Sequence, residues 1–456
     1  MAKRLCLVLV CFLLLVCVWA ENSKFARVNL ASFKWKDAED TNNCSALESE
    51  TSSLIVMHIQ SKCSPFRLPN ITWRRAISES IKGDTQRHRA MMKEDADLPL
   101  IYGNTLFQQR EYFIKLGFGT PVQSFYTLLD TGSDIAWIPC NPCSNCLTSQ
   151  LFQPSESSTY NYLSCASQQC QLLNLSTCVD NCTFDLFYSG APEVHVLLSS
   201  ETLSVGSQPV EDFVFGCAVS GVIQNYSAPG LVGFGRHPLS FPSQTATLYN
   251  RTFSYCLPSV LSPDYTGSLV LGNEALSVPS LQFTPLYSNA FNPSYYYVGL
   301  NGISVGEELV SIPEGTFTLD NSTGRGTAID SGTTITWLVE SAYNATRDSF
   351  RRQVSIPTLP SNPISTLFDT CYNLSDVEVG FPLITLHFND DLDWTLPMEN
   401  SLYLESSVIC LTFTTSRVEW SIIGNYQQQN FRIVYDVPGS RLGIAPENCD
   451  GSMLAQ

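Results

Sequence analysis

Short stretches in which apolar and polar residues alternate run through most of this chain, separated by Gly, Pro, Asn and Ser turns. A period of two is typical of strands with one buried face, so the pattern predicts a mainly β protein from residue 97 onward. One segment of the second half, SAYNATRDSFRRQV, has helical spacing instead. Ser341 is its predicted N-cap, and Tyr343, Phe350 and Val354 fall on one face.

The most informative strand pattern ends at an aspartate. Positions 125, 127 and 129 share one face of a predicted strand, and the chain continues as Asp130-Thr131-Gly132-Ser133. A buried strand that ends here delivers a carboxylate at its tip. Gly132 permits a tight turn, and the Ser133 hydroxyl is suited to hold the carboxylate by a hydrogen bond.

The same four-residue pattern of aspartate, hydroxyl residue, glycine and hydroxyl residue occurs again 200 residues later as Asp330-Ser331-Gly332-Thr333. A single triplet of this kind occurs by chance, and an aspartate next to glycine is typical of a turn or a helix cap. Here, however, each copy is followed about a hundred residues downstream by an apolar pair and a glycine. These two sites are Leu231-Val232-Gly233 and Ile422-Ile423-Gly424. The repeat indicates a duplicated functional element.

These paired motifs resemble those of the pepsin-like aspartic endopeptidases over residues 97 to 450, and the cysteine pattern resembles the plant nepenthesin-like branch. The resemblance implies a bilobal fold with related lobes at 97–278 and 279–456 and the active site in the cleft between them. A Ser- and Cys-rich insert at 153–183 belongs to the first lobe. Thr131 and Ser331 would exchange hydrogen bonds between lobes, and Ser133 and Thr333 would hold the outer carboxylate oxygens. Gly233 and Gly424 would permit close backbone approach.

The resemblance also implies a mobile hairpin, the flap, that closes over substrate. Its tyrosine is Tyr188, supported by Trp137, although an isolated tryptophan is more often simply a core residue. The family pattern Tyr-Gly-Asp-Gly-Ser is replaced here by residues 188–192, YSGAP, and a later glycine is replaced by Val196. Pro192 removes a backbone donor, and missing glycines restrict the hairpin tip. Nearby His195 is interpreted as a surface histidine.

Two carboxylates that face each other share a proton, so one acts as base while the other acts as acid on a peptide bond. The predicted function is therefore acid-dependent peptide hydrolysis by Asp130 and Asp330, with Gly132 and Gly332 in the supporting turns. No metal and no cofactor is required. No G-x-S-x-G element favours a serine hydrolase. The alternative is a weak or inactive binding protein on the same fold, similar to xylanase inhibitors.

Residues 1–20 have a basic start, an apolar run and a small final residue, which predicts a signal peptide. No later run is long enough for a membrane span, and no C-terminal lipid-anchor signal follows, so we expect a secreted protein of the apoplast or the vacuole. Of 17 cysteines, three lie in the signal peptide, two are Cys44 and Cys63, and twelve remain for disulfides. The Cys140, Cys143 and Cys146 spacing is also compatible with half a zinc site, but no further ligand is nearby.

Pairing does not follow from the spacing of the cysteines. The nepenthesin resemblance implies the pairs Cys140–Cys143, Cys146–Cys217, Cys165–Cys182, Cys170–Cys178, Cys256–Cys449 and Cys371–Cys410. Nine sequons predict surface sites for glycosylation. They begin at Asn43, Asn70, Asn174, Asn181, Asn225, Asn250, Asn321, Asn344 and Asn373.

Charge divides the chain into a basic segment and an acidic body. Residues 97–456 hold 11 Lys or Arg and 32 Asp or Glu, a formal charge of 11 − 32 = −21, whereas residues 62–93 hold eight Lys or Arg and two acidic residues. The acidic body would repel phosphate, so nucleic acid is not an expected partner. We expect residues 21–96 to be an inhibitory propeptide that docks on its own body. The other expected partners are protein or peptide substrates of a monomeric enzyme.

Overall fold

A computed structural model describes residues 24–27, 53–59, 61, 63–67, 77–78, 80–81, 84–85, 112–146, 150–173, 175, 178–186, 194–223, 230–260, 266–360, 368–375, 379–416 and 418–449. The predicted signal peptide and the flap residues 188–192 lie outside these ranges. Within them the protein is mainly β, as predicted, and none of the helices is long and apolar enough to cross a membrane.

Among the described residues, twelve strands lie in the first 271 positions of the chain. They are β1 (Phe25–Arg27), β2 (Ser53–His58), β3 (Tyr112–Phe118), β4 (Gln123–Asp130), β5 (Trp137–Cys146), β6 (Asn161–Tyr162), β7 (Thr183–Leu186), β8 (Val194–Val205), β9 (Gln208–Ile223), β10 (Leu231–Gly233), β11 (Thr252–Cys256) and β12 (Gly267–Leu271). Phe125, Thr127 and Leu129 of β4 are buried, so the predicted alternation is confirmed.

Sixteen strands follow in the second half. They are β13 (Gln282–Tyr287), β14 (Tyr296–Val298), β15 (Leu300–Val305), β16 (Glu308–Leu309), β17 (Gly326–Ile329), β18 (Thr336–Leu338), β19 (Cys371–Asn373), β20 (Gly380–Pro382), β21 (Ile384–Phe388), β22 (Leu392–Leu396), β23 (Leu402–Glu405), β24 (Val408–Leu411), β25 (Phe413–Thr415), β26 (Trp420–Ile423), β27 (Phe431–Asp436) and β28 (Arg441–Pro446).

Of the helices described between residues 112 and 449, all but one are short. They are α1 (Gln168–Gln171), α2 (Phe241–Gln244), α3 (Ala246–Tyr249), α4 (Glu340–Gln353), α5 (Met398–Ser401) and α6 (Asn425–Gln428), with 3-10 turns at Pro154–Glu156 and Asn273–Leu276. Helix α4 is the predicted one, and Tyr343, Phe350 and Val354 are buried. The prediction of Ser341 as N-cap is wrong: the helix begins at Glu340, whose charge suits the helix N-terminus, after Val339.

Three groups of strands build the bilobal architecture. In the first lobe, β3 pairs with β4, β4 runs parallel to β10, and β5 runs parallel to β9. In the second, β14 pairs with β17, and β17 runs parallel to β26. Between them lies an antiparallel sheet in the order β2-β12-β11-β27-β28-β13, which takes strands from both halves of the chain. Its edge strand β2 comes from the segment before residue 97.

Two disulfides, Cys256–Cys449 and Cys371–Cys410, have the partners that the resemblance implies. The other four pairs need correction. The structure joins Cys140 to Cys217 and Cys143 to Cys146, because Cys140 and Cys217 are both buried between the parallel strands β5 and β9. In the insert, the buried Cys170 and Cys182 are joined, and the more exposed Cys165 and Cys178 are joined. Each buried sulfur therefore pairs with another buried sulfur.

Candidate active site

Asp130 is the last residue of β4, and Asp330 directly follows β17. Each of these strands runs parallel to the strand that carries the downstream apolar pair, β10 in the first lobe and β26 in the second. In the first lobe Gly233 of β10 is opposite Asp130 of β4, and the Phe234 amide donates to the Asp130 carbonyl oxygen (N–O 2.7 Å). In the second lobe Ile423 of β26 is opposite Ile329 of β17, and the Asp330 amide donates to the Ile423 carbonyl oxygen (3.0 Å). The downstream pairs thus fix the backbone at which each carboxylate emerges.

The two loops are joined across the lobe interface by reciprocal hydrogen bonds. The Thr131 amide donates to the Ser331 hydroxyl oxygen at 3.1 Å, and the Ser331 amide donates to the Thr131 hydroxyl oxygen at 2.9 Å. The Ser331 hydroxyl donates in turn to the carbonyl oxygen of Leu129 (2.9 Å). Thr131 and Ser331 therefore hold the predicted positions between the lobes.

Both carboxylates are almost fully buried. Oδ1 of Asp130 accepts the Gly132 amide at 3.0 Å, and Oδ1 of Asp330 accepts the Gly332 amide at 2.9 Å. The Thr333 hydroxyl donates to Oδ2 of Asp330 at 2.6 Å, as the resemblance implies.

The corresponding expectation for Ser133 is wrong. Its hydroxyl is buried and makes no hydrogen bond to any of the described residues. The two loops diverge directly after this position: Asp134 turns its carboxylate to the amide of His237, whereas Thr334 offers its own amide to another carboxylate. A motif match therefore specified the residue type at position 133 but not its contact.

The downstream glycines provide space that a side chain would fill. A Cβ at Gly233 would lie 2.3 Å from the carbonyl carbon of Asp134, and one at Gly424 would lie 2.5 Å from that of Ile335. These contacts are with backbone atoms, so they cannot be relieved by a side-chain rotation. Both positions require glycine for close approach beneath the aspartate loops.

A tryptophan occupies the same position in both lobes. Trp137 lies seven residues after Asp130 and opposite Leu231, while Trp337 lies seven residues after Asp330 and opposite Ile422. Both are buried. Trp137 belongs to an apolar cluster that includes residues of the strands leading to the flap. The sequence signal for Trp337 is the repeated spacing of seven residues after each motif aspartate.

The strands that lead into the flap region are described, although Tyr188 and its neighbours are not. Val196 is fully buried, and its Cγ1 lies 2.4 Å from the position that a Cβ at Gly216 would take. Val196, which replaces a glycine of the family pattern, therefore fits because the paired strand β9 has a glycine at position 216. His195 is partly exposed and faces Asp185 across the hairpin, with Nδ1 and Oδ1 2.6 Å apart.

Asp134 is a half-buried residue that no sequence motif assigned. It accepts the His237 amide at 2.9 Å and the hydroxyl of Ser294 from the second half of the chain. Burial raises the pKa of Asp134, and the hydrogen bonds from Ser294 and His237 oppose that rise. This carboxylate links the first aspartate loop to the start of the second lobe.

A second missed group lies beneath the aspartates. Tyr255, Gln428 and Tyr435 are fully buried, and Gln428 donates to the carbonyl oxygen of Asp330 at 3.2 Å. Burial, together with the neighbouring Tyr435 and Asp330, raises the pKa of Tyr255 well above its ordinary value, so its hydroxyl stays neutral. The signal in the sequence was three consecutive glutamines, 427–429, directly before the apolar strand β27.

The segment before residue 97 reaches the second aspartate loop. Residues 77–78, 80–81 and 84–85 are helical, and Oδ2 of Asp84 accepts the Thr334 amide at 2.9 Å. Ile77 and Ile81 join a buried apolar cluster that contains Ile335 and Trp337. Of the eight basic residues expected to dock here, Arg67 is described and exposed, and the others lie outside the described residues.

Comparisons with known proteins agree with this geometry. Family models described as Xylanase inhibitor N-terminal and Xylanase inhibitor C-terminal match residues 112–273 and 295–446. The chain is 38% identical to Aspartyl protease 25 of Oryza sativa, covering 74% of this chain and 82% of the relative. It is 39% identical to Aspartic proteinase nepenthesin-1 of Nepenthes gracilis, covering 75% and 79%.

A solved structure of Basic 7S globulin from soybean aligns with a TM-score of 0.60 at 23% identity, covering 75% of this chain and 95% of that one. At this identity the alignment supports the fold alone. The matched family models and the relatives above 30% identity extend across both aspartate loops. The chain therefore belongs to the pepsin-like aspartic protease family of plants, in its nepenthesin-like branch.

Proposed function

We propose that this protein is a secreted aspartic endopeptidase that hydrolyses peptide bonds at acidic pH. The observation that carries the proposal is the crossed pair of loops, in which Thr131 and Ser331 exchange hydrogen bonds beside two buried carboxylates. Catalysis by a proton-sharing pair needs both carboxylates held in fixed positions. A protein that only binds a partner has no such requirement.

In the proposed mechanism the two carboxyl groups share one proton and titrate as a coupled pair. The ionised group takes a proton from a water molecule, which attacks the carbonyl carbon of the peptide bond. The protonated group donates to the carbonyl oxygen as negative charge develops there. Amide donors from Gly132 and Gly332 and the Thr333 hydroxyl stabilise ionised oxygens at Oδ1 and Oδ2.

The experiment is a digest of a denatured protein by the purified, processed enzyme between pH 2 and 6, with and without pepstatin. Pepstatin imitates the transition state of this family. Cleavage that pepstatin blocks supports the proposal. Absence of both cleavage and pepstatin binding contradicts it.

The alternative function is binding without hydrolysis, as the name of the matching xylanase-inhibitor models suggests for other members. The observation that favours it is the altered flap sequence, including Pro192. Val196 argues less for it than the sequence suggested, because Gly216 accommodates the larger side chain. Tight capture of a microbial glycosidase by a protein that neither cleaves peptides nor binds pepstatin would establish the alternative.

We further propose that residues 21–96 are an inhibitory propeptide. Two sets of contacts support this: β2 pairs with β12 of the central sheet and with β3 of the first lobe, and Asp84 binds the loop that follows Asp330. N-terminal sequencing before and after acid treatment tests the proposal, and a fully active precursor of unchanged length would contradict it.

The location, oligomeric state and substrates of the enzyme are proposals as well. We propose a secreted monomer that acts on protein or peptide substrates in the apoplast or the vacuole. Exposed sequons at Asn181, Asn250, Asn321 and Asn373 are compatible with glycosylation, and Asn344 is half-buried on α4. The remaining sequons, at Asn43, Asn70, Asn174 and Asn225, lie outside the described residues.

A further inference from the structure

Two buried tyrosine hydroxyls meet on the central sheet directly below the aspartate loops. Tyr255 of β11 and Tyr435 of β27 are fully buried, and their hydroxyl oxygens are 2.9 Å apart. The surroundings are apolar and aromatic: the ring of Phe253 stacks on that of Tyr435 with 4.5 Å between centroids. Hydroxyl groups in such a place are costly unless they are hydrogen-bonded.

From this pair a chain of hydrogen bonds reaches the second aspartate. The Tyr255 hydroxyl donates to Oε1 of Gln428 at 2.5 Å. Nε2 of Gln428 then donates to the carbonyl oxygens of Asp330 at 3.2 Å and Ile423 at 3.0 Å. The orientation of the Gln428 amide, and with it the backbone at Asp330, therefore depends on a tyrosine 75 residues before the aspartate in the sequence.

The same pair reaches the first aspartate loop. The side chain of Thr131 lies beside both tyrosine hydroxyls and opposes the rise in their pKa that burial causes. Thr131 is also the residue whose hydroxyl oxygen accepts the Ser331 amide. One buried network thus contacts both loops from below, at the place where the two lobes meet.

Stability alone does not explain these polar groups. An apolar interior of similar volume is often as stable as a buried polar network, because no group then has to give up its water. What a network adds is geometry, since each hydrogen bond restricts the orientation of the next group. The proton-sharing mechanism depends on the separation of two carboxylates, which is the property that such a restraint would control.

We propose that Tyr255, Tyr435 and Gln428 are positioning residues that hold the two aspartate loops at a fixed separation from below. The inference rests on the proposed peptidase function. It adds a specific consequence: when two carboxyl groups move apart, their two apparent pKa values converge. Loss of the network should therefore narrow the pH range of activity as well as slow the reaction.

The test compares Tyr255→Phe and Tyr435→Phe with Tyr343→Phe in the processed enzyme. Tyr343 is also buried and donates its hydroxyl to Asp369 at 2.6 Å, but it lies on α4, away from the aspartate loops. We expect kcat to fall about 10- to 100-fold in the first two variants, with KM changed less than about twofold, because misplaced catalytic groups mainly affect the transition state. Their pH profiles should be narrower, while Tyr343→Phe retains the wild-type profile.

A triple variant, Tyr255→Phe with Tyr435→Phe and Gln428→Leu, removes the polar groups together and keeps the interior filled. It should melt close to the wild-type temperature and still be slow. Wild-type kcat and pH profile in Tyr255→Phe, or in a well-folded triple variant, would overturn the proposal.

A readout without catalysis separates this inference from the proposed function. In the full-length Asp130→Asn chain, amide hydrogen exchange at residues 131 and 331 should become at least about tenfold faster when Tyr255→Phe is added. Unchanged exchange contradicts the positioning role even if the wild-type protein proves to be inactive. Faster exchange in a protein without peptidase activity would support the positioning role and contradict the peptidase proposal alone.

Discussion

The two aspartate loops have the same core and different surroundings. In both, a parallel strand pair fixes the aspartate, a glycine amide binds Oδ1, and a buried tryptophan follows after seven residues. Outside that core, the first loop continues into the half-buried Asp134. The second loop is contacted by Asp84 and, at the Asp330 carbonyl oxygen, by Gln428.

This comparison separates what the shared chemistry needs from what each lobe adds. The elements that recur are those that bring a carboxylate to the interface and hold it there. The elements that differ connect each loop to its own neighbours: the first to Ser294, the second to the N-terminal segment. The variants below test these shared and differing contacts, in order of decreasing expected effect.

Removing either carboxylate should have the largest effect, because the two loops act as one unit despite their different surroundings. We expect Asp130→Asn and Asp330→Asn each to lower kcat by more than about 10³-fold, with little change in melting temperature. Steady-state cleavage at pH 4 measures this. Substantial activity in either single variant would show that the two aspartates do not form one catalytic pair.

The second loop differs from the first in its contact with the N-terminal segment, and His58 should make that contact sensitive to acid. His58 of β2 is buried against Tyr112, and burial lowers its pKa from 6.5 to about 3. Docking of β2 therefore favours neutral His58. The stability that neutral His58 contributes to docking is fully present above pH 6.5 and is lost as the pH falls towards 3, so that docking is weakened roughly 100-fold at pH 4.5.

His58→Phe should keep β2 docked at pH 4.5. The measurement is amide exchange of residues 53–58 at pH 7 and 4.5 in the full-length Asp130→Asn chain, corrected for intrinsic rates. His387→Gln is the control, because His387 lies on β21, where its ring nitrogens contact Ser304 and Asp393 and not β2. If β2 is released in acid to the same extent with and without His58, protonation of carboxylates rather than of His58 causes the release.

Breaking the crossed hydrogen bonds should cost stability on both sides. Thr131→Ala and Ser331→Ala each remove an acceptor for a buried amide, so we expect a loss of about 1–3 kcal/mol in the free energy of unfolding. The double variant should lose less than the sum, because either change breaks the same link. Urea unfolding at pH 5 measures the cycle, with the exchanged pair Thr131→Ser and Ser331→Thr as control. Strict additivity would argue that the two bonds are independent.

The fourth motif position, Ser133 in the first loop and Thr333 in the second, should have a different importance for catalysis in the two loops. Thr333→Ala removes a hydroxyl that donates to Asp330, and we expect kcat to fall roughly tenfold, because a hydrogen bond to a charged group is strong. Ser133→Ala should stay within about twofold of wild type, since the Ser133 hydroxyl contacts no polar group among the described residues. Similar losses in both variants would show that Ser133 binds its aspartate during the reaction.

The smallest effect should come from Asp134. Because burial raises the pKa of this carboxyl, its contribution to stability is fully present below the ordinary pKa and is lost as the pH rises through the raised value. Asp134→Asn should therefore make the unfolding free energy less dependent on pH between 4 and 7, by about 1.4 kcal/mol for each unit of pKa difference. Ser294→Ala, which removes a hydrogen bond to the carboxylate, should have the opposite effect. If the unfolding free energies of the wild type and of Asp134→Asn change with pH to the same extent, the pKa of Asp134 is not raised in the folded protein.

Local pattern predicted the parts of the site that depend on short stretches of chain. Alternation up to position 129 placed Asp130 at a strand end, and the duplicated motif identified Asp330 and the two close-approach glycines. Spacing in α4 predicted its buried face. Its N-cap was placed two residues too late, because Ser341 fits the usual capping preference whereas the helix starts after Val339 without a side-chain cap.

Sequence alone therefore determined the mainly β class, the two aspartates and the residues next to them, because strand period and tight turns depend on neighbours in the chain. Cysteine pairing, the lack of a hydrogen bond from the Ser133 hydroxyl to any described residue, and the network of Tyr255, Tyr435 and Gln428 were decided by the tertiary structure. Tyr255 meets Gln428 and Tyr435 across 173 and 180 residues of intervening chain. No local pattern specifies such contacts. They exist because the central sheet brings β11 and β27 together and leaves room beneath the loops for polar groups that can be satisfied only by one another.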